Sequence, residues 1–512
     1  MEHKGLAEGL EDELHPTTTD DARLEEIGFT EELERKFSVW SLAALVLCLM
    51  GTWEAVGSTM AQALIGGGAP CLIYNYIWCF IGSLCSCYSL AELGSIYPTA
   101  GAQYHWVAGL APEKSRKTAS WFTGWICLGA ATCGTASAGY LAGTQIQGII
   151  SLCDETYVPK PWHGVLLYFA VLAYSTGVNI WGSGPLSTMN LAAGILHLTG
   201  YVAIIVTVAV MSHEQSSHFV FKETTNLTGW SNDGLAWMIG GLTTAYAFLG
   251  YDAAAHLAEE IPHASRNVPL AMVGSTIVNG IFGFAYSIIL MKGVPTVLQL
   301  LESKTGFPFI QLYYDATQHK AAAAIMALVP TLIAMAGNAA GLASTSRTFW
   351  AFARDKGMPH SDFLAVVSPR FRIPLRVVLL VTMLEVALGL ISLGSNTALT
   401  AVLSMATTSV YLSYSLPICY MLRARYKGTT QLFGPFRMPP AVGWGVNILA
   451  VAYLVLVMFF SAWPITYPVT RLTMNYDVVV LAGWLIIGSG YYLLRGRHQY
   501  SNPISNVTTF RE

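Results

Sequence analysis

Long apolar runs recur along almost the whole chain, and they constrain its fold more than any other feature. A helix needs about 20 apolar residues to cross a hydrocarbon core of about 30 Å. Lipid offers no partner to an unpaired backbone group, so runs of this length fold as helices. We therefore predict an all-α integral membrane protein. The twelve predicted transmembrane helices are 38–65, 71–93, 119–150, 163–181, 186–211, 235–258, 269–291, 321–346, 375–393, 397–420, 442–463 and 475–494.

The composition excludes several classes of function. Hydrophobic residues make up 54% of the chain and charged residues only 11%, against about 25% in soluble domains. The formal net charge of -3 gives no basic surface for nucleic acid, so we expect lipid and a small molecule as partners. The chain has no P-loop, no HExxH and no GxSxG motif. We therefore predict no enzyme activity, no cofactor and no metal site, and transport without direct use of ATP.

The distribution of basic residues predicts the sidedness. With the amino terminus inside, 21 of the 27 Lys and Arg residues fall on the cytosolic side, as the positive-inside rule requires. Both termini are then cytosolic, and the sequon at Asn226 lies in an outer loop as a glycosylation candidate. Residues 24–36 suit either an interfacial helix or a disordered segment. The predicted organisation is an acidic tail 1–36, a first repeat 37–211, an extracellular loop 212–234, a second repeat 235–422, two last helices 423–494 and a tail 495–512.

Three acidic residues lie deep in predicted spans: Glu54, Asp252 and Glu385. Each costs at least about 2.5 kcal/mol in lipid and so needs a partner or a function. Glu54 follows Gly51 in the first span, and Asp252 follows Gly250 in the sixth, which predicts two helix breaks near the midplane. Breaks in the first and sixth of twelve spans indicate two five-helix units of opposite orientation, with two helices left over. Broken helices at this depth are tolerated only where they line a cavity, which we predict to be the substrate site.

The residue types at these breaks suit an amine or a zwitterion. Half-helix amino ends attract a carboxylate, whereas carbonyl ends and a side-chain carboxylate attract an ammonium group. Aromatic rings can pack on an alkyl chain or a cation. The candidate substrate-binding residues are Gly51, Thr52, Trp53, Glu54, Ala55, Gly57, Tyr246, Phe248, Gly250, Tyr251 and Asp252.

Alternative roles stay open for the ionisable residues. Either both Glu54 and Asp252 bind a substrate of net positive charge, or one of them takes up a proton while the other binds the substrate. Glu54 could instead be structural, and Asp252 could cap the inner half-helix. His197 in the fifth span is a proton-coupling candidate with these two acids, or a core histidine. Glu385 is expected to be satisfied by a neighbouring hydroxyl or His and is left outside the site.

Several motifs, in order and at matching spans, resemble one transporter family. On these segments the chain is similar to the amino acid–polyamine–organocation superfamily, and within it to the fungal amino acid/choline transporter family, which includes GABA and choline permeases. The segments are FSVWS at 37–41, AELGSIYPTAGAQY at 91–104, GYD at 250–252, EEIP at 259–262, ARDKGMP at 353–359 and MNY at 474–476.

The resemblance implies the leucine-transporter fold, a 5+5 inverted repeat with two additional helices, and proton-coupled import at the plasma membrane. It also implies that Glu92, Arg354 and Asp355 belong to an inner gate or structural network. Two departures matter. Trp53 and Glu54 stand where a small-residue break is usual, which disfavours a simple neutral amino acid. The fifth span has no Lys, which leaves the coupling ion open.

The sequence thus predicts a secondary active permease that imports an amino acid or related amine, by proton symport. The alternatives are a permease for choline, another quaternary amine or a polyamine, and a nutrient sensor of the same fold that does not transport. Which amine is carried, which membrane holds the protein and its oligomeric state are left open.

Overall fold

The computed structural model describes residues 33, 37–212, 214–428, 433–501 and 503, and every regular element within them is helical. A 3-10 turn at Ala258–Glu260 and a π-helical turn at Tyr492–Gly496 accompany the α-helices. The α-helices are α1 Val39–Met50, α2 Thr52–Ile96, α3 Gln103–Leu110, α4 Glu113–Cys153, α5 Pro161–Ile180, α6 Ser183–Met211, α7 Ser217–Phe221, α8 Asp233–Gly240, α9 Leu242–Tyr246, α10 Ala253–His256, α11 Ala264–Lys292, α12 Val297–Leu301, α13 Pro308–Thr317, α14 Lys320–Arg354, α15 Ser361–Leu364, α16 Leu375–Gly394, α17 Asn396–Lys427, α18 Pro440–Ser461, α19 Asp477–Tyr491 and α20 Arg497–Gln499.

Nine helical segments in the described part of the chain are long and apolar enough to cross a membrane. One of them, Val39–Ile96, covers 58 residues and contains the first two predicted spans. The third predicted span lies in α4, which is rich in Gly, Ala, Ser and Thr and is not among the nine. The sixth predicted span is divided into short helices and is not among them either. The all-helical membrane class is therefore confirmed.

The first predicted helix break is present but narrower than expected. Only Gly51 separates α1 from α2, and its φ of 45° and ψ of 48° are left-handed, a conformation that glycine adopts without strain. Residues 52–57, which we expected to unwind with Gly51, form the first turns of α2. An acid in the first turn favours a helix because it faces the unpaired N–H groups, and Glu54 occupies that turn.

The second break is longer and contacts the first. α9 ends at Tyr246 and α10 begins at Ala253, so six residues between them form turns. Gly250 has a φ of 94°, and the Leu49 side chain occupies the space that a Cβ atom would need there. Since Leu49 belongs to the last turn of α1, the two helix breaks meet in the interior.

The glycines of α4 allow close packing of its neighbours. α4 packs against α5, α14 and α17. A Cβ atom at Gly139 or Gly143 would lie within 2.8 Å of Tyr168 on α5, so both positions require glycine for this approach. Gly134, in contrast, has no atom in contact with its would-be Cβ and faces open space. The glycine-rich pattern thus serves packing and also leaves room for a cavity.

Described residues near both ends of the chain pack into one hydrophobic cluster. Tyr500 is only 1% exposed, and its hydroxyl lies 2.7 Å from Ser120 Oγ at the start of α4. Ser501 donates through both its backbone N and its Oγ to the Asp355 carbonyl, at 3.1 and 3.0 Å. Leu33 is buried in the same hydrophobic cluster as Tyr500. The other residues of the predicted interfacial helix at 24–36 lie outside the described residues.

We predict that Tyr500→Ala lowers the apparent thermal midpoint of the purified protein. The truncation removes a buried ring, which costs about 3–5 kcal/mol in well-packed cores. Tyr500→Phe keeps the ring and loses only a hydrogen bond, worth about 1 kcal/mol. Its midpoint should therefore lie between those of the wild type and Tyr500→Ala. Tyr426, which is 82% exposed, provides the control Tyr426→Ala, with no expected change. Equal midpoints for Tyr500→Ala and the control would contradict this packing.

Candidate functional site

A cavity of about 180 Å³ lies where the two helix breaks meet. Its wall is formed by the end of α1, the start of α2, the middle of α4, the second break, α14 and α17. Much of the wall is aliphatic and small, as at Ala130, Ala138 and Ile333. Two carboxylates, Glu54 and Asp252, line it as well. The combination of an apolar wall with a few polar groups is typical of a small-molecule site.

Glu54 is held by a histidine through one oxygen only. Its Oε1 lies 2.7 Å from Nδ1 of His197 on α6, and both side chains are buried. Its Oε2 has no hydrogen-bond partner and points toward Gly51, since it lies 3.6 Å from the position of a Cβ on that residue. A buried carboxylate oxygen without a partner costs free energy, so the site is suited to a group that donates to it.

Asp252 is saturated with hydrogen bonds. Its Oδ1 accepts from the Tyr414 hydroxyl at 2.5 Å, and its Oδ2 accepts from Gln103 Nε2 at 2.5 Å. Nε2 of His256 also lies 3.3 Å from Oδ2. Asp252 precedes α10, but its side chain makes no hydrogen bond to the backbone of that helix. The side-chain capping role considered above is therefore wrong. The carboxylate instead joins α3, α10 and α17.

The candidate residues divide into two groups. Those that line the cavity are Gly51, Glu54, Ala55, Tyr246, Gly250 and Asp252. Those that do not are Thr52, Trp53, Gly57, Phe248 and Tyr251.

The aromatic residues of the second group support the site from behind. The ring of Trp53 packs against His197, 5.8 Å between centroids, and edge-on against Tyr286. Phe248 stacks on Phe80, and Tyr251 packs at 5.0 Å against Tyr414. Of the four aromatic residues expected at the substrate, only Tyr246 lines the cavity. The helical turn after Gly51 turns Trp53 away because α2 is already wound there.

His197 lies behind Glu54 and does not line the cavity. Its ring packs between Trp53 and Phe282, and its Nε2 has no hydrogen-bond partner. An imidazolium would bury a second N–H without an acceptor, so the neutral ring with its proton on Nδ1 fits this arrangement. Oε1 of Glu54 then accepts the hydrogen bond from Nδ1.

Sequence reasoning missed the polar residues that complete the wall. Gln103 starts α3, inside the motif at 91–104, and Tyr414 lies on α17 without any local signal. Gln145 Nε2 donates to the Ser58 hydroxyl at 2.7 Å, and both line the cavity. These residues come from four separate segments, so only the tertiary structure brings them together.

Two buried ion pairs join α14 to the 3-10 turn that follows α10. Arg354 binds Glu259 through both terminal nitrogens, at 2.8 and 2.9 Å. Arg347 binds Glu260 through Nε at 2.6 Å and through one terminal nitrogen at 3.3 Å. Burial by itself would raise the pKa of Glu259, but the charge of Arg354 and its hydrogen bonds lower that pKa below the usual value. This pair therefore stays ionised.

The other two residues predicted for an inner gate also have buried polar partners. Asp355 accepts hydrogen bonds from the Tyr104 hydroxyl at 2.8 Å and from Nε2 of His105 at 2.8 Å. Glu92 is fully buried, binds Arg425, and accepts from the Met438 backbone N at 3.0 Å. All three predicted residues thus have polar partners, and their role in an inner gate stays a prediction.

Glu385 and Asn226 lie away from the cavity. Glu385 is fully buried and neither of its oxygens has a hydrogen-bond partner, so the expected hydroxyl or His partner is wrong. Asn226 donates to the Trp230 carbonyl at 2.9 Å and to Asp233 Oδ1 at 2.8 Å, and it accepts from Thr228. Its amide thus orders the loop between α7 and α8. Within the described residues, no group of three or more His, Cys, Asp or Glu side chains could hold a metal ion.

The stretch of sequence that matches known proteins includes both helix breaks. The sequence model of the family described as amino acid permease matches residues 37–484. Amino-acid permease 2 of Neurospora crassa is 30% identical over 498 residues, 96% of this chain and 90% of that protein. The choline transporter of Saccharomyces cerevisiae is 28% identical over 470 residues, 91% and 83% of the two chains. The GABA-specific permease of the same yeast is 27% identical over 510 residues, 96% and 87%.

We predict that Gly250→Ala destabilises the fold around the cavity. A φ of 94° is strained by about 1–2 kcal/mol for any residue with a Cβ, and Leu49 would have to move as well. The thermal midpoint of the purified protein should fall. Gly483→Ala on α19 is the matched control, because no atom lies within 4 Å of its added methyl group. A Gly250→Ala midpoint equal to that of the control would count against a rigid break.

Proposed function

The chain belongs to the amino acid permease family, and from this premise we propose that it imports a small amine or zwitterion by secondary active transport. The relatives named above are permeases and a transporter, not enzymes. One of them is named for choline and another for GABA, so the substrate of this chain has to be argued from its own site.

The observation that carries the proposal is the half-satisfied carboxylate of Glu54 in the wall of the cavity. Asp252 has neutral donors on both oxygens, whereas Glu54 keeps Oε2 without a partner beside the break at Gly51. An ammonium group that donates to Oε2 would satisfy it with a charge-assisted hydrogen bond, which is about twice as strong as a neutral one. Glu54 is therefore our candidate ligand for the substrate nitrogen, and Asp252 organises the wall.

We propose twelve membrane crossings, with residues 37–211 and 235–422 as two five-helix units of opposite orientation and two further helices at 423–494. The support is the position of the breaks, one early in each unit, and their contact through Leu49 and Gly250. Five crossings reverse the sidedness, so the second unit is inverted. The excess of Lys and Arg on one side supports cytosolic termini, and import at the plasma membrane is part of the same proposal.

Coupling to protons is supported by the charge balance of the cavity. Among its described lining residues are two carboxylates and no Lys or Arg. Two negative charges can balance a substrate cation and one additional proton. His197 shares a hydrogen bond with Glu54, and its Nε2 is free to accept a proton, so we propose that this ring takes up the coupled proton transiently and returns to its neutral resting form. The other titratable groups whose charges interact with Glu54 are Cys48, Tyr286 and Tyr313.

A nutrient sensor of the same fold is the second candidate. Both functions need the cavity, but a sensor needs no turnover. Labelled uptake of choline, GABA, arginine and proline into permease-deficient cells separates them. Binding of an amine without any uptake, at normal surface delivery, would favour the sensor.

We predict that Glu54→Gln reduces uptake of the transported amine at least about tenfold. The amide keeps the shape of the side chain and removes its charge, and a charged hydrogen bond is worth about 1.5–3 kcal/mol. Surface delivery of the variant should stay normal. Glu385→Gln is the matched control, since Glu385 is also a buried carboxyl but lies outside the cavity. Equal uptake by both variants would remove Glu54 from the site.

We predict that a protonophore reduces uptake by the wild type and that His197→Gln abolishes this effect. Glutamine can donate to Glu54 but cannot carry a proton at neutral pH. The variant should therefore still equilibrate substrate in vesicles while ignoring an imposed pH gradient. The control is His218→Gln, an exposed residue of α7 that should respond as the wild type does. Gradient-driven uptake by His197→Gln would show that the proton is carried elsewhere.

A further inference from the structure

We infer that this site selects organic cations without a free carboxylate and discriminates against α-amino acids and betaines. The inference rests on the proposed transport function and narrows its substrate class. It follows from the positions of Glu54 and Asp252 in the cavity wall. It follows also from the described lining residues, which include no Lys or Arg that could balance the carboxylate of a substrate.

The amino end of α2 is the first step of the argument. The first N–H groups of a helix have no partner within it and attract an anion. In a site for zwitterions, that end would receive the substrate carboxylate. Here Glu54 occupies the first turn of α2, and its Oε2 lies next to Gly51 at the break. Glu54 is 95% buried, and Oε2 has no partner, so the protein's own carboxylate takes the place that a substrate carboxylate would need.

The negative charge of Glu54 is not cancelled by its histidine. Nδ1 of His197 lies 2.7 Å from Oε1, and Nε2 has no acceptor, which favours the neutral ring. A neutral imidazole orients the carboxylate without neutralising it. The acid therefore repels a second anion and attracts a cation.

The described wall of the cavity carries no permanent positive charge. Among its described lining residues there is no Lys or Arg. The nearest cytosolic arginines, Arg347 and Arg354, form ion pairs with glutamates of the 3-10 turn. Asp252 adds a second negative charge, with Gln103 and Tyr414 as neutral donors.

His256 is the one lining residue that could carry a positive charge. Its Nε2 faces Asp252 at 3.3 Å, and its Nδ1 lies near the Thr348 hydroxyl and the Ala100 carbonyl. When protonated, it would offset Asp252 and leave Glu54 uncompensated. A substrate carboxylate in this cavity would thus meet a like charge in either state of His256, and like charges in contact are strongly disfavoured.

The rest of the wall suits the alkyl part of such a cation. Ala130, Ala138, Leu249 and Val410 are small or aliphatic and can contact methyl or methylene groups. Tyr246 adds an aromatic face, which attracts an alkylammonium group.

Matched pairs of ligands that differ in a carboxylate test the inference. Choline and glycine betaine share a trimethylammonium head, and cadaverine and lysine share an alkylammonium group. Each is used to compete for uptake in permease-deficient cells and to shift the thermal midpoint of the purified protein. In at least one pair, we expect the carboxylate-free member to act at a concentration at least about tenfold lower than the one its partner needs.

Variants distinguish the source of the discrimination. Glu54→Gln should bring the two members of the effective pair to within about threefold of each other, because the repelling charge is gone. Glu385→Gln should keep the wild-type ratio. Glycine betaine acting as well as choline, together with lysine acting as well as cadaverine, would overturn this inference while leaving transport intact. A protein that reaches the surface but neither moves nor binds any of the four would overturn the proposed function, and the inference with it.

Discussion

The need to pair every backbone polar group within lipid governs this structure. A helix can be interrupted at depth only where the freed groups lie inside protein or line a cavity. Both interruptions here meet that condition, because Leu49 of α1 packs directly onto Gly250 of the second break. The left-handed Gly51 confines the first interruption to one residue, so α2 starts its hydrogen bonding at once. The cavity, the orientation of Glu54 and the burial of Trp53 all follow from this one sharp turn.

The two acids of the cavity differ in their surroundings rather than in their depth. Asp252 receives donors from α3 and α17 and so ties the second break to distant segments. A saturated carboxylate of this kind is a structural group, since a ligand would have to displace an existing hydrogen bond. Glu54 has one partner and one unpaired oxygen. A carboxylate thus serves packing in one break and is suited to recognition in the other. The hydrogen bonds of the two side chains reveal this difference, whereas their positions in the sequence do not.

Local signals in the sequence were sufficient for the helices and the breaks, but not for the contacts between them. The apolar runs predict the membrane class, and a glycine beside an acid predicts each interruption, because both depend on neighbouring residues. Gln103 and Tyr414 carry no such signal, since they reach Asp252 only through the tertiary fold. We expected Trp53 to contact the substrate, but α2 winds earlier than expected and turns its ring away from the cavity. The unpartnered Glu385 also escaped prediction, as nothing in one span shows what its neighbours offer.

The ion pairs of the 3-10 turn add a constraint on the proposed transport cycle. With the proposed sidedness, the inner side has to open, and there the paired glutamates of the 3-10 turn have Arg347 and Arg354 as their partners. Removing one partner of a buried pair costs about 3–5 kcal/mol, so opening must hydrate both members together or exchange their partners. Substrate can favour opening only through tighter binding to the open state. Because Ser501 donates to the Asp355 carbonyl, next to Arg354, the carboxyl-terminal segment would have to move with these ion pairs or release them.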